Sequence, residues 1–185
     1  MLNLETTTFP VLNTERLVLR QLVPEYAVEL HQLRSDPEIN RYLGRPASTG
    51  IANAITFIDK IKSLIDAYEG MYWVLTLAGD NNPLIGTICF YNFDKTNATI
   101  ELGYELMTTY QGKGLMAEAV TRVIQYGFEQ MNAQTITAFP SADNERSIAL
   151  LNKFGFTIDD ELQTSLDNDE EQMLAFSIKR STKGG

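Results

Sequence analysis

The residues of this 185-residue chain that could do chemistry by type and spacing gather in one stretch: Tyr110-Gln111-Gly112-Lys113-Gly114-Leu115-Met116-Ala117-Glu118-Ala119. Two glycines one residue apart let the backbone turn sharply with its N–H groups exposed. A strand-like run, Thr99 to Met107, leads in, and a helix-like run, Leu115 to Met131, leads out. The unpaired N–H groups and positive dipole end of that helix would face the same point. Such a turn suits a phosphate or pyrophosphate.

Three owners compete for it. Gly112-x-Gly114-x-x-Ala117 has the form of a dinucleotide fingerprint, which requires an acidic residue about 20 positions on to hold a ribose. The next strand instead ends Thr137-Ala138-Phe139-Pro140. A mononucleotide P-loop would need Gly-Lys-Ser/Thr to close the pattern, and none is present. The plainest alternative is a strand-to-helix turn that binds nothing.

Other reactive side chains are sparse. Cys89 lies in an apolar strand run and reads as a small buried hydrophobe. With one histidine and one cysteine, no transition-metal site is expected. His31 falls on a helix, where a surface or half-buried position accounts for it. The net charge of −9 argues against a nucleic-acid partner and permits a cationic one.

These groups need a scaffold, and the pattern supplies one. Thr14 to Arg20 alternates as a strand; Pro24 opens a helix through about Leu33; Asp36-Pro37 caps a short helix reaching Leu43. Gly44 to Gly50 is a loop. Ile51, Ile55, Ile58 and Ile65, with Tyr68, mark one face of a longer helix ending near Gly70. Strands at Tyr72 to Leu77, Leu84 to Phe93 and Thr99 to Met107 are linked by turn-rich segments, Gly79 to Pro83 and Asp94 to Asn97, that favour antiparallel hairpins. Trp73, Tyr72, Phe90 and Tyr91 read as sheet core.

In the helix after the turn, Ala119, Val120, Val123, Ile124, Gly127 and Phe128 form the inner stripe, and Glu118 and Arg122 an outer i,i+4 pair. Gln134 to Phe139 is a strand, Asn144 to Phe154 a helix closed by Gly155, and Phe156 to Ile158 and Met173 to Lys179 the last strands. The order β-α-α-βββ-α-β-α-ββ predicts an α/β (α+β) fold with a mixed, mostly antiparallel sheet of about seven strands flanked by helices. Residues 1–185 read as one domain, with a core of about 14–179 and short loose ends. No run is long enough for a membrane span and the first ten residues have no leader pattern. With a single cysteine, the expected compartment is the cytoplasm. A homodimer is compatible with the sequence.

Three motifs in order, Thr14-Glu15-Arg16-Leu17-x-Leu19-Arg20, Gln111-x-x-Gly114 and Asn144-Glu145-Arg146-Ser147 through Gly155-Phe156, resemble the GNAT superfamily of acetyl-CoA-dependent N-acetyltransferases. The branch most resembled is that of the ribosomal-protein N-terminal acetyltransferases, over about Thr14 to Lys179. The chain departs from the pattern at Met116, where the superfamily usually carries Gly or Ala.

The resemblance implies a GNAT-like acyl-CoA N-acyltransferase fold and acetyl-CoA as co-substrate, with no metal. Backbone N–H groups of Gln111, Gly112, Lys113, Gly114, Leu115, Met116 and Ala117 would cradle the pyrophosphate. The strand edge at Leu106, Met107 and Thr108 would pair with the pantetheine amides, and Asn144 and Ser147 would lie beside the thiol. Ser147 would protonate the leaving sulfur; Glu101, and after it Glu105, would serve as general base. The implied acceptor is a protein or peptide α-amine. A polyamine, amino acid or aminoglycoside is the alternative, and a non-catalytic acyl-CoA-binding module the rival from another class. The acidic link Thr157 to Gln172 would border the acceptor cleft, as a steering surface or a solvated loop.

Overall fold

Alternating Leu17 and Leu19 form strand β2 (Leu17–Gln21), which pairs with a short β1 (Leu12–Asn13) and with β3 (Met71–Leu77). The computed structural model describes residues 1–4, 8–79, 83–166 and 172–181. Two hairpins carry the meander on through β4 (Gly86–Asp94) to β5 (Thr99–Leu106), all antiparallel. A crossover helix, α4 (Leu115–Glu129), then makes β6 (Thr135–Ala138) parallel to β5. The last strand, β8 (Phe176–Lys179), lies between β6 and the two-residue β7 (Thr157–Ile158). The sheet therefore has eight strands in the order β1-β2-β3-β4-β5-β6-β8-β7, one more than expected because β1 is too short to show an alternation.

Each face of the sheet buries its own core. On one, Trp73, Leu75, Ile88, Phe90, Ile100 and Leu102 pack with Ala119, Val120 and Val123 of α4 and Leu151 of α5 (Glu145–Lys153). Trp73 meets Phe90 and Tyr126 edge to face, with ring centroids 6.1 and 5.6 Å away. On the other, Tyr72 and Val74 pack with Leu30 and Leu33 of α1 (Ala27–Ser35) and with Ala54, Ile58 and Ile61 of α3 (Ile51–Asp66). Fully burying a leucine such as Leu30 is worth about 1.5–3 kcal/mol, so these contacts fix α1 against the sheet. Asp36 caps α2 (Pro37–Asn40) by accepting from the N–H groups of Glu38 and Ile39.

Four expectations are corrected. Helix α3 turns Ala54, Ile58 and Ile61 inward, while Ile51 and Ile55 are 46% and 45% exposed. The small Ala54 is buried in the second core, and an apolar count cannot register that. Glu118 does not pair with Arg122; it turns to Arg16, and Arg122 reaches Gln125. Tyr91 is 37% exposed and takes a polar partner instead of joining the core. Residues Asp160–Leu166 of the acidic link form a helix, α6, in place of a loop. The link's Asp167, Asp169, Glu170 and Glu171, the turn residues 80–82 and the tail residues 182–185 lie outside the described residues. Among the described residues no helix is long and apolar enough to cross a membrane.

Candidate active site

Strands β5 and β6 pair only from Thr99–Thr135 to Glu101–Thr137. Beyond that point β5 runs on to Leu106 while β6 stops at Ala138, so one edge of β5 has no ladder partner. A cleft of about 1160 Å³ opens there, lined by the end of β5, the glycine turn and the first turns of α4 and α5. Residues Glu38 to Leu43 form its far wall, Asn40 excepted.

The turn has the geometry its glycines allow. Gly112 and Gly114 hold φ of +73° and +76°, the left-handed region that L side chains rarely enter. A Cβ at Gly112 would meet nothing within 4 Å, so the concave side is open. Gly114 is the N-cap of α4 and among the described residues no side chain caps that helix, which leaves its first N–H groups for a ligand.

Arg16 braces the turn from behind. Its Nε donates to Glu118 Oε2 at 2.7 Å and its Nη1 to the Lys113 carbonyl at 3.0 Å. Glu118 also accepts from the Thr14 hydroxyl and, at 2.7 Å, from the Arg16 backbone N–H. Burial works against its charged form, but these donors outweigh it and hold the carboxyl below its usual range. The first sequence motif thus supports the second. Gln111 ties the turn to both flanks: its Nε2 donates to the Leu106 carbonyl at 2.9 Å and its Oε1 accepts from Arg146 at 2.7 Å. Met116 packs partly against the core and also lines the cleft.

Side-chain alternation along β5 separates two kinds of chemistry. Toward α5, Tyr104 Oη lies 2.7 Å from Ser147 Oγ. Burial pushes the Tyr104 phenol up to about 12, and the Ser147 hydrogen bond pulls the other way. Asn144 caps α5 by accepting from the Ser147 N–H at 3.1 Å, which fixes that residue's backbone.

Toward α1 and α3, the Glu105 side chain is 9% exposed and held in a fork by Arg45, Nη1 to Oε1 at 3.0 Å and Nη2 to Oε2 at 2.5 Å. Arg34 stands 4.0 Å away, stacked 3.8 Å over the Phe57 ring. Burial and the nearby Arg45 lower the Arg34 pKa. A buried chain, Tyr72 Oη to Thr87 Oγ1 to Glu105, backs the carboxylate.

Of the residues singled out in the sequence, Glu105, Leu106, Thr108, Gln111, Gly112, Gly114, Leu115, Met116, Ala117, Asn144 and Ser147 line this cleft. Glu101 does not. It sits where β5 and β6 still pair, held by the Tyr91 hydroxyl and by Asn92 Nδ2 at 2.8 Å. Lys113 projects over the Tyr110 ring, and Met107 packs with the second core. Cys89 is no nucleophile here: burial pushes its thiol up to about 12, and Sγ lies 3.5 Å from the Gly103 carbonyl. His31 Nδ1 meets Ser48 Oγ at 2.8 Å, tying α1 to the loop that carries Arg45.

Sequence reasoning missed Tyr104 and Arg45. Tyr104 was hidden by its place on the apolar face of β5, and Arg45 by a loop without periodicity. The only signal for Arg45 was charge: a partly buried Glu105 requires a cation, and the Gly44 to Gly50 loop carries one.

The cleft fits an elongated ligand with an anionic part at the turn and amides along β5. The unsubstituted concave side of Gly112 and the uncapped start of α4 suit a diphosphate. The open β5 edge suits an added strand-like chain.

Comparison with known proteins agrees with this geometry. The model of the acetyltransferase (GNAT) domain matches residues 16–157. The uncharacterized N-acetyltransferase YoaA of Bacillus subtilis is 34% identical over 148 residues, covering 80% of this chain and 83% of the relative. The uncharacterized N-acetyltransferase p20 of Bacillus licheniformis is 36% identical over 146 residues, 78% and 81% of the two chains. A ribosomal-protein alanine acetyltransferase from Vibrio fischeri superposes with a TM-score of 0.76 at 20% identity, covering 95% of this chain and all of that one.

Proposed function

The chain belongs to the GNAT acetyltransferase family and is an acetyl-CoA-dependent N-acetyltransferase; we propose that its acceptor is the α-amino group at the end of a protein or peptide. The observation that carries this reading is the Arg45 fork on Glu105. An attacking amine must be neutral, and a carboxylate already engaged by a guanidinium is a poor proton acceptor. An α-amine, with pKa near 7.8, is about one-seventh neutral at pH 7 without help. A lysine side chain near 10.4 costs roughly 3.5 kcal/mol more to deprotonate. Glu105, so engaged, is a weak base, which suits the α-amine better than a lysine.

When bound, acetyl-CoA supplies a thioester whose acyl carbon accepts the amine and whose sulfur leaves with the bonding pair. In our assignment the backbone N–H groups of Gly112 to Ala117 hold the diphosphate, helped by the dipole of α4, while the Gln111 N–H is taken by the Thr108 carbonyl. Leu106 and Thr108 offer the strand edge to the pantetheine amides, the Met107 N–H being taken by the Ile85 carbonyl at 2.9 Å, and an N–H at that edge polarises the acyl carbonyl. Ser147 keeps a proton at Oγ for the departing sulfur. Glu105 lines the cleft, which Glu101 does not, but with Arg45 forked on it the amine proton goes chiefly to water. A cytoplasmic setting is supported by the single cysteine, Cys89, which cannot form a disulfide within the chain.

The test is thiol release from acetyl-CoA with a panel of peptides bearing free N-termini, the same peptides blocked at the α-amine, spermidine and an aminoglycoside. Turnover confined to free N-termini is expected. Faster turnover with spermidine or the aminoglycoside would transfer the assignment to small amines.

A further inference from the structure

We propose that Tyr104 and Ser147 form a two-residue proton relay, in which Tyr104 Oη resupplies Ser147 Oγ as Ser147 protonates the departing sulfur. The inference rests on the assignment of Ser147 above and adds a residue that neither the motifs nor that assignment includes. Both side chains line the cleft, and their oxygens are 2.7 Å apart. They arrive from different elements, Tyr104 from β5 and Ser147 from the first turn of α5, so the contact is built by the fold across the splayed strands. Asn144 fixes the Ser147 backbone from the other side.

The chemistry explains why a serine would need such a neighbour. A serine hydroxyl that gives up its proton alone becomes an alkoxide, far more basic than a thiolate. A phenol, ordinarily near 10, lies much closer to a thiol near 8.5. In this site burial moves the Tyr104 phenol to about 12, so it stays loaded with its proton throughout the neutral range.

The step balances. The C–N bond forms and the C–S bond breaks, the sulfur leaving with the bonding pair. The Ser147 proton passes to sulfur and the Tyr104 proton to Ser147 Oγ. The amine's surplus proton is lost to water, and the Tyr104 phenolate regains one from solvent through the open cleft. The products are an amide and a thiol, with no net proton consumed. Tyr104 acts through Ser147 and is a positioning and supply residue.

Two measurements test the relay on the full chain. The first is a cycle of Tyr104→Phe, Ser147→Ala and the double variant, assayed with acetyl-CoA and an N-terminal peptide. The relay predicts that Tyr104→Phe lowers kcat roughly 10- to 100-fold with KM for acetyl-CoA within about 2-fold. It also predicts a double variant no slower than Ser147→Ala alone. The second needs no turnover: with 3-fluorotyrosine at position 104, the ¹⁹F signal reports the phenol titration in the free protein. Ser147→Ala should shift that titration upward, because the hydrogen bond lowering it is gone. A Tyr104→Phe variant with unchanged kcat beside a slow Ser147→Ala overturns the relay and leaves Ser147 as the donor. Losses that multiply in the double variant, or an unmoved ¹⁹F titration, also overturn it. If Ser147→Ala itself turns over normally, the Ser147 assignment fails and the relay with it.

Discussion

Arg45 lays both guanidinium nitrogens on Glu105, Nη1 to Oε1 at 3.0 Å and Nη2 to Oε2 at 2.5 Å, from a loop 60 residues earlier in the chain. The pair ties the α2–α3 loop to β5 and engages a carboxylate that lines the cleft. Asn40 holds the same arginine, accepting from its Nε at 3.0 Å.

Removing one partner of this ion pair strands the other in a half-buried place. Arg45→Met should lower unfolding free energy by about 2 kcal/mol, below the 3–5 kcal/mol of a fully buried pair because Arg45 keeps 21% exposure. Urea unfolding followed by tryptophan fluorescence measures it. A midpoint equal to that of the parent would show that the fork holds nothing. Glu105→Gln keeps the shape, and its kcat/KM for an α-amine acceptor should fall less than about 10-fold.

Arg16 and Glu118 brace the turn, and their contribution has a definite pH sign. The folded-state pKa of Glu118 lies below its unfolded value, so the stabilisation is fully present above the unfolded carboxylate range, near 4.3. It is lost as pH falls through the lower folded value. Thermal unfolding of the parent and Glu118→Gln should therefore differ at pH 7, with the gap narrowing as pH falls below the ordinary carboxylate range. A constant gap would remove the brace. At pH 7, Arg16→Met should also weaken CoA binding several-fold by calorimetry, since the Lys113 carbonyl loses its donor.

Gly112 faces open space, which makes it the cleanest probe of the diphosphate cradle. Asp tolerates positive φ better than most residues, and its charge would repel a diphosphate. Gly112→Asp should keep its circular dichroism spectrum and lose CoA affinity by 100-fold or more, on the order of 3 kcal/mol. A folded variant with unchanged affinity would move the cradle elsewhere.

Cys89 should resist iodoacetamide at pH 8 in the folded protein and react once urea unfolds it. The sign of its pH linkage is opposite to that of Glu118. Burial raises the folded thiol to about 12 over an unfolded value near 8.5. Its stabilisation is complete below pH 8.5 and drains away as pH rises toward 12. Between pH 8 and 10.5 the parent should lose more stability than Cys89→Ala.

Much of this was legible in the sequence because local rules agree with the fold there. The glycine turn, the helix beginning at Asn144 and the inner stripe of α4 each follow from short-range geometry, and the structure has all three. Legibility fails where a side chain chooses between a near and a distant partner. Glu118 could pair with Arg122 one turn on, but Arg16 offers two charge-assisted donors from 102 residues away. Hydrophobicity points Ile51 and Ile55 inward, yet α3 buries Ala54, Ile58 and Ile61 in their place. Glu101 and Glu105 share a strand face, and only the point where β5 and β6 separate sets one in the cleft and the other outside it. Tyr104 reads as an apolar-face aromatic until Ser147 is found 2.7 Å from its hydroxyl.

The account turns on an α-amine attacking in a site whose carboxylate is already engaged. Its most direct test is the pH dependence of kcat/KM for a peptide with a free N-terminus, in the parent and in Glu105→Gln. The account predicts an activity that rises through the acceptor's own titration near pH 7.8 and keeps that midpoint in Glu105→Gln, with the Nα-blocked, lysine-bearing peptide inert. A midpoint that vanishes with Glu105, or a blocked peptide acetylated on lysine at a comparable rate, would contradict it.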